Sequence, residues 1–119
     1  MPELVPKHVG FIVDGNRRWA KKQGLPAYRG HIEGYNVLKD VLLETLDKGV
    51  PYVSAYVFST ENWKRSTAEV SRLMNLVLKV LKNDAHIFVE KNVRVRFIGT
   101  REGLSDKVRK AIDDTEALT

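Results

Sequence analysis

Short apolar runs rich in β-branched residues alternate along this sequence with longer segments of helical periodicity. The runs HVGFIVD, YVSAYVF and VRVRFIG predict β-strands at about residues 8–14, 52–58 and 93–99. Apolar residues at helical spacing predict two helices after the first strand and one helix after each later strand. Because strands separated by helices usually lie parallel, the order β-α-α-β-α-β-α predicts an α/β fold with a parallel β-sheet flanked by helices.

The boundaries of the predicted helices carry local signals. Gly24 and Gly49 follow periodic segments and predict the ends of the first two helices, because glycine adopts the backbone conformation that closes a helix. Ser66, with Glu69 three residues later, has the pattern of a capping box at the start of the third helix. Ser105 predicts the N-cap of the last helix. These boundaries leave polar loops directly after the first two strands.

The length of 119 residues suits one domain, so we expect a single α/β domain over residues 1–119. The absence of cysteine excludes disulfides, thiolate catalysis and cysteine metal sites. No apolar run is long enough to span a bilayer, and the first residues lack the layout of a signal peptide. These features indicate a cytoplasmic protein. The final segment, DDTEALT, keeps a helical pattern without a stop signal, which indicates a fold cut short.

Positive charge is concentrated near the start of the sequence. The net charge is +5, and residues 1–30 contain six basic and two acidic side chains. A local basic field favours an anionic partner, namely a phosphate group, a nucleic acid or an anionic membrane surface. The excess lies around the segment FIVDGNRRWAKK.

Polar and aromatic side chains follow the first two predicted strands at matching positions. The first cluster is Asp14, Asn16, Arg17, Arg18 and Trp19, and the second is Ser59, Glu61, Asn62, Trp63 and Arg65. Because parallel strands end at the same edge of a sheet, we expect the two clusters to meet there. Arginine forks bind phosphate oxygens in bidentate fashion, and a carboxylate among phosphates requires a divalent cation such as Mg²⁺. The segment GNRRWAKK lacks the ending of a P-loop, which argues against nucleotide hydrolysis of that kind.

Each of these residues, taken alone, also has an ordinary structural interpretation. Asp14 could cap the short helix, and the arginines and lysines could form a solvated helix face. The two tryptophans could belong to the core, and His31 could be a surface residue at a helix start. The position of both clusters directly after a strand favours the functional interpretation.

Four segments of the sequence, HVGFIVDGNRRWAKKQG, GH at residues 30–31, FSTENWKRS and EVSRLM, resemble the cis-prenyltransferases of the undecaprenyl diphosphate synthase family. The resemblance runs from His8 to the end of the chain and covers about the first half of a typical member. It implies repeated condensation of isopentenyl diphosphate with farnesyl diphosphate to give a polyprenyl diphosphate such as undecaprenyl diphosphate. It also implies Mg²⁺ as cofactor, a homodimer, and peripheral membrane association through the lipid product.

The resemblance implies a role for each matching residue. Asp14 matches the aspartate that holds Mg²⁺ and helps the diphosphate leave. Asn62 matches the residue proposed to assist proton removal from isopentenyl diphosphate. Because an amide is a poor base, Asn62 could instead position substrate or relay the proton through water. Val57 matches a position at the start of the apolar product tunnel. The positions that match substrate-binding residues of the family are Gly15, Asn16, Arg17, Arg18, Trp19, His31, Ser59, Thr60, Glu61, Trp63 and Arg65.

Two departures from the family pattern bear on activity. Ala27 stands where family members commonly carry an arginine, four residues before His31. The family also has a C-terminal motif of arginine, serine and glutamate that binds isopentenyl diphosphate and supplies a second acidic Mg²⁺ ligand. Residues 93–119 contain no candidate for that motif. We therefore expect the isolated chain to be inactive or nearly so.

Two other functions fit parts of the sequence. A non-catalytic partner subunit of a heteromeric cis-prenyltransferase would keep the fold, but it would not need Asp14, Asn62 and Arg65 together. A nucleic-acid-binding domain would use clusters of arginine, lysine and tryptophan, but the basic excess is confined to one region. We therefore expect the partners to be diphosphate substrates and not nucleic acid.

Overall fold

The computed structural model describes residues 4–58 and 67–119, and its elements follow the predicted alternation except at one strand. Strand β1 spans His8–Ile12 and is followed by helices α1 (Asn16–Lys22) and α2 (Ala27–Asp47). Strand β2 spans Tyr52–Tyr56, helix α3 spans Thr67–Glu90, and helix α4 spans Asp106–Leu118. None of the described helices combines the length and the apolarity needed to cross a membrane.

The chain divides into two compact units, Met1–Val70 and Ser71–Thr119. The first unit contains β1, α1, α2, β2 and the start of α3, and the second contains the rest of α3 and α4. That residues 1–119 form one domain therefore stays a prediction.

Strands β1 and β2 form a parallel sheet in which His8 pairs with Tyr52 and Ile12 pairs with Tyr56. The predicted parallel arrangement is confirmed. The half-buried face of the sheet consists of Val9, Phe11, Val53 and Ala55. The opposite face is exposed, because the described helices of this unit cover one face of the sheet. The strand predicted at about residues 8–14 is therefore covered on one face, and Ile12 keeps 82% of its accessible surface.

The predicted third strand at residues 93–99 is not a strand in the described structure. Extended backbone forms a strand only where a neighbour takes up its N–H and C=O groups. The Val95 N–H instead donates to Oγ1 of Thr119, just after α4, at 3.0 Å. The described residues therefore have the order β-α-α-β-α-α with a two-stranded sheet, while the class, an α/β fold with a parallel sheet, is confirmed.

The helix ends agree with the local signals in the sequence. Gly24 follows α1 with φ of 71°, and Gly49 follows α2 with φ of 95°. Both values lie in the left-handed region that favours glycine. Ser66 lies outside the described residues, so its capping box with Glu69 stays a prediction.

The second unit has its own apolar core between α3 and α4. The buried members are Leu81, Val108, Ala111 and Ile112, and the half-buried side chains packed on them are Val77, Leu78, Phe97 and Leu104. The predicted N-cap of α4 is confirmed, because Ser105 Oγ accepts a hydrogen bond from the Val108 N–H at 3.3 Å.

Candidate functional site

The two strands end at the same edge of the sheet. Since Ile12 pairs with Tyr56, the segments that leave the sheet, residues 13–15 and residues 57–58, begin side by side. This shared edge is the geometric condition for a joint site. The predicted members of the second cluster, Ser59, Thr60, Glu61, Asn62, Trp63 and Arg65, lie outside the described residues. Their meeting with the first cluster therefore stays a prediction.

Asp14 and Gly15 connect β1 to α1. Gly15 is the N-cap residue of α1, with φ of 86° in the left-handed region. Asp14 Oδ1 accepts a hydrogen bond from the Gly15 N–H at 2.7 Å and lies 3.4 Å from Arg18 Nη2. Asp14 thus precedes the N-cap and does not cap the helix, and its side chain is 79% exposed. The exposed carboxylate is available to a ligand.

The first turn of α1 combines backbone N–H groups with two guanidinium groups. The first hydrogen bond of the helix runs from the Trp19 N–H to the Gly15 carbonyl at 2.9 Å, so the N–H groups of residues 16–18 precede it. Such groups attract anions. Arg17 and Arg18 lie in the same turn and have exposed side chains. This turn can therefore bind a phosphate group with both its backbone and its side chains.

Two glycines of α2 allow α1 to approach closely. A Cβ atom at Gly30 would lie 2.1 Å from the Asn16 carbonyl oxygen, and a Cβ atom at Gly34 would lie 2.3 Å from Asn16 Nδ2. Real Cβ atoms do not come so close to backbone atoms, so a side chain at Gly30 would push the helices apart, whereas a side chain at Gly34 would require the Asn16 side chain to move. Asn16 is therefore held against α2 through its backbone and its side chain.

Glu69, in the first turn of α3, contacts both of these helices. Its Oε1 atom lies 3.2 Å from Nε of Arg17 on α1 and 3.5 Å from Nε2 of His31 on α2. The side chains of Glu69 and His31 are 14% and 13% exposed, whereas that of Arg17 is 56% exposed. His31 is thus not the surface residue that its place in the sequence allowed. The structure brings Arg17 and His31 to one carboxylate oxygen.

Two further predicted residues in the described part of the first unit, Trp19 and Val57, are exposed to solvent. Trp19 is exposed although the next residue, Ala20, is fully buried, so the core interpretation of Trp19 is wrong. Val57 follows β2 and is exposed, and its place in a product tunnel stays a prediction. Ala27 begins α2.

The donors around Asp14 fit a magnesium ion that is shared with a ligand. Within residues 4–58 and 67–119, no three histidine or carboxylate side chains converge in a way that could hold a metal by themselves. Mg²⁺ is usually bound through one or two carboxylates, with substrate phosphates and water as the remaining ligands. An exposed aspartate beside a turn that can bind phosphate is a donor of this kind. Mg²⁺ binding stays a prediction.

Two residues of this site have no functional role in the sequence analysis. Glu69 is interpreted there only as a capping partner, although it lies in the motif EVSRLM, and Gly34 is not singled out. The signal for Gly34 is its place inside a predicted helix, because glycine is unfavourable there unless another group approaches closely. For Glu69 the helix-cap pattern is a sufficient local explanation, so the residues that it contacts could not be foreseen.

Comparisons with known proteins identify relatives of this chain in sequence and in structure. The family model for undecaprenyl diphosphate synthase matches residues 12–119. The isoprenyl transferases of Treponema denticola and Thermotoga maritima are each 44% identical to this chain, over 117 and 115 residues. The trans,polycis-polyprenyl diphosphate synthase of Thermobifida fusca, described as specific for (2Z,6E)-farnesyl diphosphate, is 46% identical over 117 residues. The structure of lavandulyl diphosphate synthase from Lavandula x intermedia, in complex with dimethylallyl diphosphate, matches with a TM-score of 0.90 at 30% identity.

The chain spans about half the length of these relatives. The matches cover 95%, 97% and 98% of this chain but 52%, 49% and 42% of the proteins from Treponema, Thermotoga and Thermobifida. The structural match covers 94% of this chain and 48% of the lavandulyl diphosphate synthase. The likeness therefore concerns one half of a longer chain in each relative.

Proposed function

Since the chain belongs to the undecaprenyl diphosphate synthase family, we propose that it forms the allylic-diphosphate side of a cis-prenyltransferase active site. The reaction joins isopentenyl diphosphate to an allylic diphosphate such as farnesyl diphosphate, with loss of a proton and release of inorganic diphosphate. The observation that carries the proposal is the convergence of Arg17 and His31, from two helices, on Glu69. This cluster follows the turn of Asp14 at the end of β1, where a parallel sheet binds its ligands.

Arg17 and Arg18 would bind the oxygens of the allylic diphosphate. Guanidinium groups suit this role because they are always charged and can donate two parallel hydrogen bonds to a phosphate. The backbone N–H groups at the start of α1 would add donors that need no side-chain ordering. The dimethylallyl diphosphate bound to the lavandulyl diphosphate synthase is also an allylic diphosphate, which supports this substrate class.

Asp14 would hold Mg²⁺ together with the diphosphate, and the bound ion would neutralise charge on the leaving group. The Asp14 carboxylate is oriented for this by its contacts with the Gly15 N–H and with Arg18. His31 would donate a hydrogen bond to the diphosphate from a half-buried position, which limits the solvent that surrounds it.

The remaining roles rest on the resemblance. Asn62 would assist removal of the proton from isopentenyl diphosphate. Ser59, Thr60, Glu61, Trp63 and Arg65 would contact substrate beside it. Val57 and Trp19 would contact the apolar chain of the substrate or product. Undecaprenyl diphosphate as the product, a homodimer, a cytoplasmic location and membrane association through the product belong to the same proposal.

Calorimetric titration with the thiolo analogue of farnesyl diphosphate, with and without Mg²⁺, tests the proposal. We expect the chain to bind the analogue in Mg²⁺, and we expect Asp14→Ala to weaken binding because it removes the carboxylate that the ion requires. Asp40→Ala removes an exposed aspartate of α2 and serves as the matched control. Absence of binding by a folded wild-type sample, or equal binding by Asp14→Ala, would contradict the proposal.

We further propose that these 119 residues do not elongate prenyl chains on their own, because they include no candidate for the isopentenyl diphosphate motif. The measurement is incorporation of labelled isopentenyl diphosphate into polyprenyl products with farnesyl diphosphate and Mg²⁺ present. Sustained formation of polyprenyl diphosphates by the isolated chain would refute this part while leaving the binding proposal intact.

A further inference from the structure

Glu69 occupies a position that links three helices. It lies in the first turn of α3, and its Oε1 atom is 3.2 Å from Arg17 Nε and 3.5 Å from His31 Nε2. Arg17 belongs to α1 and His31 to α2. A single oxygen atom therefore contacts two nitrogen-bearing side chains that come from different helices.

The contact leaves the arginine able to bind a ligand. A guanidinium group has five N–H donors, so an ion pair through Nε does not exhaust its capacity. The Arg17 side chain is half exposed, whereas Glu69 and the imidazole of His31 are mostly shielded from solvent. Glu69 can thus anchor the guanidinium group at Nε while more than half of the Arg17 side chain stays accessible to solvent.

We propose that Glu69 is a positioning residue that holds Arg17 and His31 in the arrangement that binds the diphosphate of the substrate. This inference rests on the proposed function, and it adds a residue that does not itself touch the substrate. The physical reason is preorganisation. Long side chains lose conformational freedom when they bind a ligand, and an anchored arginine has already lost part of it.

The inference predicts that removing the charge of Glu69 weakens diphosphate binding, whereas electrostatics alone predicts that it tightens binding. A carboxylate near an anion site repels the anion, so Coulomb's law predicts that removing the charge of Glu69 should tighten diphosphate binding. Loss of positioning predicts weaker binding. The sign of the change therefore separates a positioning role from a purely electrostatic one.

Titration calorimetry with inorganic pyrophosphate at a constant Mg²⁺ concentration measures this sign. We expect Glu69→Gln to bind pyrophosphate about tenfold more weakly than wild type, in the range of coupling found for side chains in contact. Glu69→Asp keeps the charge but is one methylene shorter, so it should also bind more weakly. Glu44→Gln makes the same chemical change in an exposed ion pair with Lys48 and should bind like wild type.

Two further measurements separate positioning from a general loss of structure. If Glu69 acts through Arg17, Glu69→Gln should have little additional effect in an Arg17→Ala background, because the side chain that it positions is gone. The ring ¹⁵N chemical shifts of His31, measured without ligand, should change in Glu69→Gln and not in Glu44→Gln. Circular dichroism establishes that each variant is folded, and Glu69→Asp decides the question if Glu69→Gln does not fold.

The outcomes distinguish this inference from the proposed function. If wild type binds pyrophosphate and Glu69→Gln binds it equally or more tightly, the inference is overturned and the proposed function stands. Equal binding by a folded Glu69→Asp, or full additivity with Arg17→Ala, also overturns the inference. If folded wild type does not bind pyrophosphate at all, the proposed function fails and the inference fails with it.

Discussion

Each of the two compact units contains a shielded glutamate that contacts two nitrogen-bearing side chains. In the first unit, Glu69 contacts Arg17 and His31. In the second unit, Glu116 accepts hydrogen bonds from Arg96 and Arg101. The two clusters have similar chemistry but differ in what surrounds them.

In the second unit, the charged groups satisfy one another. Arg101 donates to Asp113 as well as to Glu116, and the Arg101 carbonyl accepts from Arg109 Nη2 at 3.0 Å. The hydrogen bonds from Arg101 to Asp113 and Glu116 raise the pKa of the Arg101 guanidinium, and the bond from Arg101 lowers the pKa of Glu116. The network lies within the same short unit as the α3–α4 core, so its role is to support the fold.

In the first unit, the charged groups lie at the ends of elements. Arg17 and His31 come from two helices that meet near the turn after β1. Among the described residues of this unit, the buried apolar side chains are those of Ala20 and Val50. Where its contacts close within one unit, as at Glu116, we expect a glutamate with two nitrogen-bearing neighbours to support the fold. Where the contacts join separate elements around a strand end, as at Glu69, we expect the same arrangement to prepare a binding site.

The largest expected effect is on the core of the second unit. Ile112→Ala removes buried methyl groups from the cluster of Leu81 and Val108, and we expect it to lower the free energy of unfolding by about 3 kcal/mol. Pyrophosphate binding by the folded variant should not change, because the proposed site contains no residue of this unit. Urea unfolding and calorimetry measure the two quantities. Ile98→Ala, at a 95% exposed isoleucine, is the control, and an equal loss there would contradict the role given to Ile112.

A substitution between α1 and α2 should affect both the fold and the site of the first unit. Gly30→Ala would usually stabilise a helix by about 1 kcal/mol, but here its Cβ would overlap the Asn16 carbonyl. We expect a loss of about 2 kcal/mol in unfolding free energy, with weaker pyrophosphate binding, since α1 must shift. Gly10→Ala, where no atom lies within 4 Å of the added Cβ, is the control. A stabilised Gly30→Ala variant would show that the helices are not in close contact.

Loss of the α4 cap should have a smaller effect, confined to the second unit. Ser105→Ala removes the acceptor of the Val108 N–H, and we expect a loss of about 1 kcal/mol in unfolding free energy. Ser105→Asn retains a capping oxygen and should recover most of it. Amide hydrogen exchange in α4, followed by NMR, measures the change locally. Equal exchange rates in wild type and Ser105→Ala would rule out a stabilising cap.

Low pH should lower the stability of the second unit by protonating Glu116, and we expect this change in stability to be the smallest of those predicted here. A carboxyl group whose pKa is lowered by folding stabilises the protein above its unfolded pKa, and this contribution disappears as the pH falls through the folded pKa. We therefore expect the protection of α4 amides against hydrogen exchange to decrease as the pH falls below about 4.5, the ordinary pKa of a glutamate side chain. The Arg101 side chain is partly exposed, so solvent screens its attraction to Glu116 and keeps the effect modest.

Glu116→Gln is the variant that isolates this contribution. It should have lower stability than wild type at neutral pH and a weaker dependence on pH in the acid range. Asp114→Asn, at an exposed position of α4, should keep the wild-type dependence. If Glu116→Gln and wild type have the same acid profile, the Arg101–Glu116 contact does not stabilise the unit.

The local patterns of the sequence are sufficient for most elements of the fold. Glycine after a periodic segment predicts the ends of α1 and α2, and Ser105 predicts the start of α4, because helix ends depend on a few neighbouring residues. The alternation of strands with helices predicts the parallel pairing of β1 with β2. Local patterns could not show that residues 93–99 do not form a strand here, because a strand exists only where another strand pairs with it.

Some features of the candidate site could likewise be predicted from the sequence, whereas others depend on how the helices pack. Chain order and strand direction are enough to predict that Asp14, Arg17 and Arg18 follow a strand at the edge where a parallel sheet binds ligands. The packing of the helices was needed to find that Gly15 and not Asp14 is the N-cap of α1, that Gly30 and Gly34 lie against Asn16, and that Glu69 contacts Arg17 and His31. Those contacts depend on how whole helices pack, and the packing of distant segments is not encoded in the spacing of any one motif.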